Sequence, residues 1–82
     1  MANLDNCKTI LRKLIADGDL SAVPLAEQAI DEYLQATPPG AHKSGLRLLH
    51  EDALAQFHTA VRVQRSFAEA VTAYIEKKLA EG

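Results

Sequence analysis

The chain has no tryptophan, one cysteine, one methionine, three prolines and four glycines among 82 residues, and only 5% of it is aromatic. A lone Cys7 excludes an internal disulfide framework. With His42, His50 and His58 scattered along the chain, it also supplies no zinc-ligand cluster. No apolar run approaches the ~18 residues that a membrane span needs. The opening Met1-Ala2-Asn3-Leu4-Asp5 lacks the basic-then-apolar plan of a secretory leader. An excess of one charge is missing too: a net charge of −2 and a pI near 5.8 argue against a dedicated nucleic-acid binder. β-branched and aromatic residues are sparse and apolar–polar alternation is brief, which excludes an extensive sheet.

What is present favours helix. The composition is 48% apolar and 24% charged, dominated by Leu, Ala, Glu, Lys, Gln and Arg. Length predicts one domain over residues 1–82. Gly18, Pro24, the cluster Thr37-Pro38-Pro39-Gly40, and Gly45 cut it into three stretches.

The first predicted helix covers about residues 4–17. Leu4, Cys7, Leu11 and Leu14 fall on one face beside Ile10 and Ile15, Asn3 is placed to cap the start, and Gly18 suits the left-handed stop. The second covers about 24–36, opened by Pro24 and by a cap from Ser21 or Asp19. Ala26, Ile30, Tyr33 and Leu34 face inward, with Leu25 and Ala29 beside them. Residues 19–40 hold four acids and no Lys or Arg. Residues 37–43 read as a stiff exposed loop.

From Ser44, an apparent cap, the pattern predicts a third helix over 46–80. Its main stripe runs Leu46, Leu49, Ala53, Phe57, Ala60, Gln64, Ala68, Val71, Ile75, Leu79, and a weaker line runs Leu48, Ala55, Val63, Ala70, Ala73. Thirty-five residues span ~52 Å, whereas the first two helices cover only ~20 Å each. If those two lie side by side, Phe67, Val71, Tyr74, Ile75 and Leu79 stay exposed, a strip that soluble monomers rarely tolerate. The expected fold is therefore all-α: two short helices followed by one long C-terminal helix, a helical hairpin or bundle completed by dimerisation. End-to-end packing of the short helices in a monomer is the alternative. The expected self-association or partner surface is Leu48, Ala55, Val63, Gln64, Phe67, Val71, Tyr74 and Ile75, and Tyr74→Asp or Ile75→Asp should then give a folded monomer, or lose partner binding, without harming helicity. Gln64 either faces its mate and fixes register, as buried polar residues do in coiled coils, or lies at a solvated edge.

Motifs for chemistry are weak. On one helix His50 and His58 are ~12 Å and ~80° apart, too far to share an ion. Cys7 reads as a small buried hydrophobe. Gly40 and Gly45 make no phosphate loop, and Asp31-Glu32 and Glu51-Asp52 read as solvated surface. Arg62 and Arg65, one turn after His58, form the one basic patch. Arg47–Glu51 and Arg65–Glu69 spacings offset part of it, and the acids of the second helix are its expected partners.

The expected function is a small non-enzymatic interaction module, a regulator, inhibitor or chaperone-like adaptor of the cytoplasm, acting through apolar helical surface on a protein partner and as a homodimer. No cofactor or metal is expected. One alternative is a small dimeric enzyme binding an anionic substrate at Arg47, His58, Arg62 and Arg65. A second is a nucleic-acid-binding module.

Overall fold

Asn3 starts the first helix: its side-chain oxygen accepts the Asn6 N–H at 2.8 Å, satisfying a donor with no partner inside the helix. In the computed structural model, which describes residues 3–81, helix α1 runs Leu4–Asp17. Met1 and Ala2, read above as lacking the plan of a secretory leader, lie outside the described residues. Gly18 closes α1 at φ 67°, a left-handed backbone that favours glycine. It is also a close approach, because a Cβ there would press on Val63.

The second helix has no side-chain cap, its N-cap being Ala22; of the two candidates before it, Asp19 caps the preceding turn. It accepts the Ser21 hydroxyl at 2.7 Å and the Ser21 N–H at 3.0 Å, bonds that hold its carboxyl below the usual carboxylate range. A 3₁₀ turn, Leu20–Ala22, leads into α2 at Val23–Gln35, with Pro24 in its first turn. The expected loop over 37–43 is shorter than the prolines suggest. Pro39–Ala41 winds into a 3₁₀ turn and helix α3 begins at His42. Gly45 and Ser44 therefore lie inside α3 and mark no boundary. The reason is tertiary: the buried Tyr33 ring lies where a Cβ at Gly45 would project, so glycine is kept despite its lower helix propensity.

The largest correction concerns the expected helix over 46–80. It is two helices, α3 at His42–Thr59 and α4 at Arg62–Glu81. Ala60 is extended, at φ −82° and ψ 150°, and the chain turns back on itself there. No glycine or proline marks the break, but Thr59, Val61 and Val63 put three β-branched residues within five, each stiff at χ1 in a helix. Gln64 then restarts the helix. As third residue of α4 its side-chain oxygen accepts the Val61 N–H at 3.4 Å, one half of a capping box. Its amide donates to the Ala16 carbonyl at 2.8 Å, in the last turn of α1 where carbonyls lack helical partners. Gln64 thus belongs to the tertiary junction and not to a register device between copies.

The fold is an all-α bundle of four helices among the described residues, measuring 35 × 23 × 18 Å. That longest dimension is well short of the ~52 Å of an unbroken rod. α1 and α2 form one antiparallel hairpin, α3 and α4 the other. The core draws on all four helices: Leu11 and Ile15, Ile30 and Tyr33, Leu46 and Leu49, then Phe67, Val71 and Ile75. Phe67, Val71 and Ile75 are at most 1% exposed. They are not a partner surface, because the return of α4 puts them against the molecule's own first three helices.

Polar contacts tie the hairpins together outside the core. Arg12 on α1 binds both carboxylate oxygens of Asp52 on α3, with Nε at 3.0 and 3.1 Å. Tyr74 on α4 donates to Asp31 on α2 at 2.7 Å. His50 on α3 meets Glu76 on α4 at 3.0 Å. These lie near the surface and orient the helices more than they stabilise them.

Two outcomes follow from the reversal. Ile75→Asp should lose its cooperative thermal transition in circular dichroism, since the new carboxyl has no partner in a fully buried position; a folded monomer would contradict this packing. Gln64→Ala should fold but lose about 1–2 kcal/mol in urea denaturation, and an unchanged midpoint would remove Gln64 from the junction.

Candidate functional site

The residues singled out from the sequence as a contact surface do not share one. Leu48 and Ala55 stand exposed on α3, while Val63 is exposed at the α3–α4 corner beside Gly18. Tyr74 is half-buried and committed to Asp31. Burial first, and then the bond to Asp31, raise the Tyr74 hydroxyl above its ordinary value against the opposing influence of Lys78. It is a neutral hydrogen-bond donor between helices.

The Arg/His group is split. Arg47 lies eleven residues before His58 on α3, about 16 Å along the axis. Arg65 stacks its guanidinium 5.4 Å from the centre of the Phe57 ring, and His58 meets the same ring edge-on at 5.9 Å. The expected Arg47–Glu51 and Arg65–Glu69 pairs are not among the four ion pairs of the described residues. Nor does any of those four pairs join Arg62 or Arg65 to an acid of α2, where Asp31 meets Tyr74 and Lys78 instead. Arg47 therefore stands apart, whereas His58 and Arg65 meet at the Phe57 ring.

Each histidine has a separate setting. His42 Nε2 lies 2.8 Å from both the Leu34 and the Thr37 carbonyl oxygens. Two acceptors require that nitrogen to carry the proton, so the ring caps the end of α2. His50 faces Glu76, and His58 meets Phe57 edge-on. Among the described residues no three His, Cys, Asp or Glu side chains gather as a metal site would require.

Cys7 is 3% exposed, its thiol 3.7 Å from the Ala29 carbonyl. Burial pushes its pKa from 9.0 up to about 11, so it stays a protonated thiol at neutral pH and lacks the thiolate that nucleophilic chemistry needs.

The feature with the most to offer a ligand lies above this thiol. A groove of about 610 Å³ runs between α1 and α2, with Cys7, Leu14 and Ala29 among its lining residues. Ile10 on one wall is 38% exposed and Leu25 on the other 56%. Lys13 and Glu32 are its charged lining residues, one on each wall. The sequence holds a signal for this groove, because Ile10 and Leu25 each sit just off the inward stripe of their own helix. Only the antiparallel pairing of α1 and α2 brings the two off-stripe residues to a common opening. Compared with known protein families, curated proteins and solved structures, the chain matches none.

The thiol gives a pH-dependent outcome. Below pH 9 both folded and unfolded chains keep the Cys7 proton; between 9.0 and about 11 only the unfolded chain releases it. Stability should therefore fall as pH rises through that window, by at most about 2–3 kcal/mol. Urea denaturation of Cys7→Ala should show a shallower alkaline decline than wild type, and parallel declines would show that Cys7 ionises normally.

Proposed function

We propose that this protein is a non-enzymatic interaction module, a small regulator or adaptor that docks another polypeptide in the α1–α2 groove. The observation that carries this reading is the exposure of Ile10 and Leu25 on facing walls of one groove. Large aliphatic side chains left in water on both sides of a cleft gain ~25 cal/mol for each Å² an occupant covers. Two helices that frame an open groove suit an amphipathic helix laid along it. Small polar rims at Asn6, Lys13, Gln28 and Glu32 orient such an occupant.

The proposed docking surface is therefore on the N-terminal hairpin and not on the α3 and α4 residues first expected. A cytoplasmic setting is part of the proposal, since a reducing compartment suits a single unpaired thiol. No described helix is long and apolar enough to cross a membrane. Catalysis and nucleic-acid binding are not part of this reading, which rests on exposed apolar surface and uses neither the buried thiol nor the arginines.

Site-specific crosslinking tests it. A photo-crosslinking residue at Gln28, carried in cells, should yield protein adducts that Leu25→Glu abolishes with helicity unchanged. The same probe at Glu51, exposed on α3, should yield none. Equal labelling from both positions, or no groove adduct, would refute the docking role.

A further inference from the structure

We infer that the polypeptide covering the α1–α2 groove is a second copy of this chain, a step that rests on the docking role just proposed. The argument is the match between the two walls. Each wall contributes one exposed aliphatic residue, one amide and one charge: Ile10, Asn6 and Lys13 from α1; Leu25, Gln28 and Glu32 from α2. The charges have opposite sign and lie at opposite ends. Cys7 and Ala29 are level with each other, and from that level Lys13 lies six residues along α1 while Glu32 lies three along α2. Because the helices are antiparallel, the two charges are about 13 Å apart along the groove.

A surface with unlike charges displaced about its centre is complementary to itself. A two-fold axis through the groove sets Lys13 of each copy against Glu32 of the other, so the contact forms twice, as an isologous interface requires. The same rotation covers Ile10 and Leu25 with the partner's aliphatic residues. A foreign helix is less constrained by these observations, since nothing else in the groove demands one charge pattern over another. The face is two helices, each ~20 Å long and ~10 Å wide, hence about 400 Å² in projection. That is below the ~800 Å² per partner of a standard interface, which makes the dimer reversible and dependent on concentration.

Sedimentation equilibrium of the purified chain, from about 1 µM to about 1 mM, brackets interfaces of this strength. The average mass of wild type should rise from one chain towards two. Lys13→Glu and Glu32→Lys should each weaken association about tenfold, with circular dichroism unchanged, by placing two like-charge contacts in the interface. The double variant, and an equimolar mixture of the two single variants, should regain it, since each restores both unlike pairs. A wild type that stays monomeric throughout, or a dimer indifferent to both reversals, would overturn the inference. Leu25-dependent adducts to a different protein from the Gln28 probe, alongside a monomeric wild type, would leave the docking role standing while removing the second copy. Absence of any groove adduct would remove both.

Discussion

The turn at Ala60 and Val61 organises the rest of the molecule, because it decides where the apolar strip of the C-terminal residues is buried. Phe67, Val71 and Ile75 must leave water, and burying each is worth about 1.5–3 kcal/mol. Another chain would gain the same area only after about 4–15 kcal/mol of lost translational and rotational freedom. Reversing the helix costs instead the few backbone bonds that spanned the turn, each about 0.5–1.5 kcal/mol net, some of them replaced by water and by the Gln64 cap. Cover from the chain's own helices is the cheaper arrangement, and α4 returns along α3.

Once α4 returns, other features acquire their roles. Gly18 leaves room for Val63 at the junction with α1, and Gln64 links the end of α1 to the start of α4. At the opposite end of α4, Tyr74 and Lys78 reach Asp31 on α2. Gly45 lets the Tyr33 ring seat against α3. These are close approaches between backbones or between a ring and a backbone, and each specifies one packing where a greasy stripe alone tolerates several. With its interior complete, the chain leaves large apolar side chains exposed at separate places. Among the described residues, Ile10 and Leu25 do so across a shared groove. The proposed function rests on that residual exposure.

Much of the architecture was legible in the residues. The caps at Asn3 and Gly18 and the inward stripes of α1 and α2 follow from 3.6-residue spacing and local hydrogen bonding, and the bounds Leu4–Asp17 and Val23–Gln35 agree with them. The break in the last helix was harder to see because it uses β-branched residues and a glutamine where glycine or proline would announce it. Propensity differences among Thr, Val and Ala are fractions of a kcal/mol, too small to call a break without the packing that rewards it. The same stripe serves equally well on one long rod or on two shorter helices.

The candidate groove was less legible than the fold. Ile10 and Leu25 are fifteen positions apart, and spacing says nothing about which residues meet across a hairpin. By itself the sequence determined the helical class, the inward faces and the burial of Cys7, because those depend on near neighbours along the chain. Tertiary structure alone decided the reversal at Ala60, the fate of Gln64, and the meeting of His58 and Arg65 at Phe57 away from Arg47. It also set the groove between α1 and α2. These depend on which helices lie side by side, a competition among long-range burials whose outcome no local pattern encodes.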